Sequence, residues 1–267
     1  MPNIDLFNLK DQVAVITGGA SGLGYDMACE LANAGCHLVI TSRFKEKLVE
    51  PAQNLRNQYG IDVLTLQLDQ CFHEEVKNMA AQAQQWKGHI DILINNAGGG
   101  SGASEGDLFK RAPNDMVNMI HTNLIGPLFC SQEIGKIMAG QQSGKIINIG
   151  SIAGMVGRDR SMYRDNQKSE QPIDYAAAKA GIIGMTRDLA AYMAPYGICV
   201  NCISPGGFQG ASLPQEFVNA YNRATALGRM GKMGQDIKGV ALFLASQASD
   251  YVTGQNIVVD GGFSIWK

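Results

Sequence analysis

The chain carries little charge. Asp, Glu, Lys and Arg make up 17% of its 267 residues, and 22 basic side chains stand against 24 acidic ones, for a formal net charge of -2. A protein held on nucleic acid by phosphate contacts needs a basic excess or a long Lys/Arg run. Neither is present, which excludes nucleic acid as a partner. No window approaches 18 uninterrupted apolar residues, so neither a transmembrane helix nor a membrane partner is expected. The opening residues, Met1 to Lys10, have no basic stretch leading into an apolar one, so no secretory signal is expected and the reading is cytoplasmic. The four histidines (His37, His73, His89 and His121) share no metal-ligand spacing. Six cysteines (Cys29, Cys36, Cys71, Cys130, Cys199 and Cys202) offer one C-x-x-C, Cys199 to Cys202. It lies in an apolar run where positions three apart point to opposite faces. No second Cys or His pair completes a zinc set, so no metal is expected and the thiols read as free and buried.

Glycine, by contrast, is abundant at 32 residues, gathered at turns after apolar runs. Those runs are Val13–Thr17, Leu38–Thr41, Val63–Leu68, Ile92–Asn95, Lys145–Gly150, Ile198–Ser204 and Asn256–Val259. They are apolar on consecutive positions, as strands buried on both faces must be. Between them lie helical patterns over Leu23–Ala34, Glu74–Trp86, Met116–Met138, Tyr175–Met193 and Asp236–Ala245. The alternation predicts an α/β, doubly wound Rossmann fold with a seven-stranded parallel sheet flanked by helices. No linker or repeat appears, so residues 1–267 read as a single domain. Residues 157–172 form a charged insertion, and residues 206–227, a Gly-rich loop with the short helical segment Gln215–Thr225, form a substrate lid.

Such sheets bind ligands beyond the C-terminal ends of their strands, which directs attention to the residues that follow each one. After the first strand comes Thr17-Gly-Gly-Ala-Ser-Gly-Leu-Gly24, opening a helix. Gly18, Ser21, Gly22, Leu23 and Gly24 can bring backbone amides close to a pyrophosphate at the helix N-terminus. Glycines also mark plain turns; the strand-to-helix context favours the dinucleotide. NAD sites usually place a carboxylate at the end of the second strand, whereas this chain has Ser42 and Arg43 there. A guanidinium suits a 2′-phosphate, so NADP(H) is favoured over NAD(H). Tyr175 and Lys179 lie four apart, on one helix face, where a cation lowers the phenol pKa and makes it a usable acid/base. Alone, that pair means little. Ser151 follows the strand Lys145–Gly150 and can donate to a carbonyl oxygen beside Tyr175. Asn123 interrupts a helical pattern where Asn has poor propensity, so it either caps locally or serves the site.

Taken in order, Thr17-Gly-x-x-x-Gly-x-Gly24, Asn95-Asn-Ala-Gly98, Asn123, Ser151, Tyr175-x-x-x-Lys179 and Ser204-Pro-Gly206 resemble the short-chain dehydrogenase/reductase family, in its compact single-domain branch. The likeness runs from about Leu9 to Asp260-Gly-Gly262. It implies that Tyr175 gives or takes the proton, Ser151 places the substrate carbonyl, and Lys179 holds the nicotinamide ribose and depresses the Tyr175 pKa. It further implies that Asn123 anchors a relay water, that Asp69 bonds the adenine, and that Asn96, Ala97 and Gly98 with Pro205 and Gly206 line the cofactor. Members commonly pair as homotetramers or homodimers through the helices bearing Asn123 and Tyr175.

Three departures stand out. Ser151 and Tyr175 are 24 residues apart, farther than is usual in the family, because of the 157–172 insertion. Tyr163 stands at the usual distance but has no Lys four residues on, so it reads as a decoy. The loop after Pro205-Gly206 lacks the Thr that often holds the nicotinamide carboxamide, leaving backbone groups or Ser212 to replace it. The insertion and the tail resemble gluconate 5-dehydrogenase-like and sorbose-reductase-like members, which implies a keto-sugar, sugar acid or polyol. Arg158, Asp159, Arg160 and Arg164 are placed to hydrogen-bond it, and Arg158 is the candidate substrate contact. The alternatives are a 3-oxoacyl-thioester reductase and a non-catalytic NADP(H)-binding sensor.

Overall fold

Strands that are apolar on every position must be covered on both faces, and the architecture supplies that cover. In a computed structural model, described over residues 4–100, 105–166 and 168–265, seven strands form one parallel sheet. They are β1 (Val13–Ile16), β2 (His37–Ser42), β3 (Val63–Gln67), β4 (Ile92–Asn95), β5 (Gly144–Ile149), β6 (Ile198–Pro205) and, last in the chain, β9 (Asn256–Val259). Their order is β3-β2-β1-β4-β5-β6-β9, so the direction of winding reverses between β1 and β4. This is the doubly wound arrangement, with a crevice at the reversal. Alternate residues of each strand serve opposite layers. Ala14 and Ile16 join a core with Met27 and Leu31 of α1 (Gly22–Asn33), Leu48 and Leu55 of α2 (Glu46–Tyr59), and Leu244 of α9 (Lys238–Ala245). Val13 and Val15 face Val76 and Met79 of α3 (His73–Lys87), Ile134 and Met138 of α5 (Gly126–Gln141), and Ala190 and Met193 of α7 (Ile173–Met193).

Two elements differ from the sequence reading. Helix α2 escaped the periodicity because its first two turns are charged and hold Pro51, which cannot donate to the helix ladder. Leu48, Ala52 and Leu55 still give it a buried stripe at i, i+4 and i+7. The run Met116–Met138 is not one uniform helix. It begins as α4 (Pro113–Ile120), passes through a π-helical turn at His121–Ile125, and continues as α5. Such single π turns are energetically unfavoured and concentrate at functional sites.

The 157–172 stretch holds the short helix α6 (Ser161–Arg164) and an ion pair, Arg160 to Glu170 at 2.8 Å. Residues 206–227 contain β7 (Phe208–Gln209) and α8 (Gln215–Arg223), and β7 pairs with β8 (Gly231–Lys232). All six cysteines are free, with Cys199 half-buried and Cys202 buried. No helix among the described residues is long and apolar enough to cross a membrane, and no group of three His, Cys, Asp or Glu side chains there is placed to hold a metal.

Candidate active site

A cleft of about 920 Å³ opens beyond the C-terminal ends of β1 to β6. Gly18, Ser21, Gly22 and Leu23 line one end of it, where β1 turns into α1. Gly22 has φ +56° and open space where a Cβ would stand, so it gives the turn its shape and leaves the backbone approachable. Gly24, grouped with these from the sequence, does not line the cleft. A Cβ there would lie 2.4 Å from the Gly18 carbonyl and 2.3 Å from Asn96 Nδ2, so this glycine allows helix and strand ends to meet.

Ser42, Arg43 and Asp69 line the next section of wall. Arg43 is exposed, and among the described residues no carboxylate lies within ion-pair distance of it. Asp69 Oδ1 accepts from the Cys71 amide at 3.0 Å. Beyond β4, Asn96, Ala97 and Gly98 form the floor. Two residues that the sequence reading gave no role hold this turn. Buried Thr17 accepts from the amides of Asn96 and Ala97, both at 3.0 Å, and Gln70 Nε2 donates to the carbonyls of Ala97 at 2.9 Å and Thr122 at 2.8 Å. Thr17 was legible as a hydroxyl closing an apolar strand; Gln70 carried no signal.

Asn123 sits in the π turn and is fully buried. It does not line the cleft; instead its Oδ1 accepts from the Gly99 amide at 2.8 Å and its Nδ2 donates to the Met119 carbonyl at 3.1 Å. The same residue therefore satisfies the widened helix and fixes the loop that leaves β4. Gly100 of that loop packs so tightly on Tyr175 that a Cβ would come within 2.8 Å of the ring.

The other end of the cleft gathers Ser151, Arg158, Tyr163, Tyr175 and Lys179. Ser151 stands two residues past the end of β5 with its hydroxyl accepting from the Ala153 amide at 3.1 Å, and it lies beside the Tyr175 phenol. Lys179 donates to the Ile149 carbonyl at 2.7 Å and stands 5.7 Å from the centre of the Tyr175 ring. Burial lowers its pKa to about 8. Burial also raises the Tyr175 phenol above its ordinary value, opposed by the Ser151 hydroxyl and the Arg158 charge. In this geometry the cation that lowers the phenol is Arg158, from the insertion. Tyr163, set aside from the sequence, is part of the wall, tilted against Phe217 at 5.3 Å. Pro205 and Gly206 line the cleft; Ser212 is exposed and does not, so it is not a substitute for the missing Thr.

Residues 18–264 match the family described as enoyl-(acyl carrier protein) reductase. The chain belongs to the short-chain dehydrogenase/reductase family. It is 34% identical to 2-dehydro-3-deoxy-D-gluconate 5-dehydrogenase of Escherichia coli, over 97% of this chain and 98% of that protein. It is 31% identical to a 3-oxoacyl-[acyl-carrier-protein] reductase of Aquifex aeolicus, over 95% and 98% respectively. Among solved structures, a gluconate 5-dehydrogenase of Burkholderia cenocepacia in complex with NADP and tartrate superposes with a TM-score of 0.86 at 32% identity, covering 97% of this chain and 98% of that one. This short-chain dehydrogenase/reductase is thus an oxidoreductase with a nicotinamide-cofactor cleft, taking a small molecule beside it.

Proposed function

We propose that the enzyme is an NADP(H)-dependent oxidoreductase that moves a hydride between nicotinamide and a secondary alcohol or ketone of a keto-sugar, sugar acid or polyol. The observation that carries this reading is the continuity of one cleft from the Gly18–Leu23 turn and Arg43 to Ser151, Tyr175 and Lys179. The residues suit a dinucleotide: open space at Gly22, amides at the start of α1, and at Arg43 a cation free to meet a 2′-phosphate. The NADP complex of the Burkholderia relative supports the same choice.

When bound, the cofactor supplies or receives the hydride. Tyr175 gives its proton to the carbonyl oxygen during reduction and takes it back during oxidation, and Ser151 donates to that oxygen to hold it in place. Lys179 holds the nicotinamide ribose, and the Arg158 charge favours the phenolate. Asn123 holds the Gly99 loop and anchors the water through which Tyr175 is reprotonated. Gly18, Ser21, Gly22, Leu23, Ser42, Arg43, Asp69, Asn96, Ala97, Gly98, Pro205 and Gly206 bind the cofactor, and Gly24 supports their turn by close packing. Arg158 contacts the substrate. Residues 206–227 act as its lid, contributing Phe208, Leu213, Phe217 and Tyr221 to the wall.

One domain working as a homotetramer or homodimer fits the exposed Val117, Leu128 and Tyr192 on α4, α5 and α7. Free thiols fit a cytoplasmic setting. NADPH oxidation with ketoses, sugar acids and an acetoacetyl thioester tests the reading. Turnover on the sugar substrates is expected. Turnover only on the thioester would move the enzyme to the function of its Aquifex relative, and tight NADPH binding with no turnover would make it a sensor.

A further inference from the structure

The charged insertion treats its arginines unequally. Arg160 donates to Glu170 at 2.8 Å, and Arg164 lies 3.8 Å from the same carboxylate. Arg158, half-buried in the cleft wall, meets neutral groups: Gln171 Oε1 at 2.5 Å, the Gln171 carbonyl at 3.2 Å, the Pro172 carbonyl at 3.3 Å and the Tyr163 hydroxyl. Among the described residues no carboxylate lies within 4.0 Å of it, although Glu170 stands one residue from its own acceptor Gln171. These bonds hold the guanidinium in one orientation without neutralising it. A cation partly removed from water and left without a counter-charge costs free energy that a bound anion returns. Lys168, also on this wall and without an ion pair among the described residues, adds to the positive potential, while Glu170 is taken up by Arg160.

We propose that Arg158 is an anion receptor that makes the enzyme specific for substrates carrying a carboxylate a few carbons from the reacting carbonyl. Arg158 and Tyr175 line the same end of the cleft, near enough for their charges to interact, so one small oxo acid spans both. The guanidinium fork binds the carboxylate while Ser151 and Tyr175 take the carbonyl oxygen. This inference rests on the proposed oxidoreductase reading and selects the sugar acid from the three substrate classes given there. The specificity element belongs to the insertion, outside the strand-end motifs.

A matched pair tests it: 5-keto-D-gluconate and L-sorbose, which differ only by a carboxylate in place of a hydroxymethyl group at the far end. With NADPH, the wild type is expected to prefer the acid, and Arg158→Gln to lower kcat/KM for the acid about tenfold or more beyond any loss on L-sorbose. Arg158→Lys, which keeps the charge but not the fork, should fall between. Equal losses on both substrates, or a wild type that prefers L-sorbose, would overturn the proposal while leaving the oxidoreductase reading intact. Calorimetric titration with D-gluconate and with neutral D-glucitol separates the two claims if neither ketone turns over. Gluconate binding that disappears in Arg158→Gln keeps the receptor, and no preference for gluconate over glucitol removes it.

Discussion

Arg111 clasps the Asp174 carboxylate one residue before Tyr175. Its Nε donates to both carboxylate oxygens, at 2.9 and 3.0 Å, and its Nη2 donates to one of them at 2.8 Å. The two side chains are only 2% and 10% exposed. Arg111 also donates to the Glu105 carbonyl at 2.6 Å, so the pair ties the loop ahead of α4 to the first turn of α7. Breaking a buried pair from one side leaves the other charge unpaired. Arg111→Ala should therefore lower stability by about 3–5 kcal/mol in denaturant unfolding. The double replacement Arg111→Met with Asp174→Leu should recover most of that. A single variant as stable as the wild type would show that the clasp does not fix the tyrosine helix.

Tyr175→Phe keeps the ring that packs on Gly100 and removes only the proton carrier. Turnover should fall by about 10²–10⁴-fold, with NADPH affinity nearly unchanged in a fluorescence titration. Retained turnover in this variant, together with its loss in Tyr163→Phe, would transfer the acid/base role to the insertion's tyrosine.

Lys179 makes a prediction about stability as well as rate. Its pKa is about 8 in the folded protein against 10.5 for an ordinary lysine, so the unfolded chain binds the proton more tightly. The buried ammonium thus opposes folding fully below about pH 8, and that opposition fades as pH rises toward the unfolded value. Lys179→Met should raise stability at pH 7 by about 1–3 kcal/mol, the gain shrinking by pH 10, while turnover is lost. Thermal unfolding of both proteins across that range checks it; a variant less stable at pH 7 would contradict the sign.

Arg43→Ala should weaken NADPH by about 1.5–3 kcal/mol, the range for a charge-assisted hydrogen bond, and leave NADH nearly unaffected. The exposure of Arg43 makes the difference shrink at high salt. Equal weakening of both cofactors would remove the preference for NADP(H).

Much of this was written in the order of residues. Seven apolar runs each became a strand of the main sheet, because a strand buried on both faces must be apolar throughout. The residues after those strands then had to meet at one crevice, since parallel strands present their C-terminal ends on one side. Helix α2 stayed hidden behind Pro51 and its charges until the packing of Leu48 and Leu55 was visible.

Other features exist only in three dimensions. Asn123 looked like a helix interruption, and the sequence left open whether it capped or served the site; the hydrogen bond from Gly99, 24 residues away, shows what it holds. Gly24 looked like a phosphate contact and is a packing contact, because its neighbours Asn96 and Gly18 come from the ends of two strands. The charge state of the insertion was equally unreadable: its arginines look alike in sequence, and only the fold pairs Arg160 with Glu170 and leaves Arg158 facing the cleft. Local spacing determines which elements form and which edge they share, since pleat and helix period are properties of neighbouring residues. Which polar atoms meet, and which charges remain unneutralised, depends on contacts between distant segments, and only tertiary structure sets those.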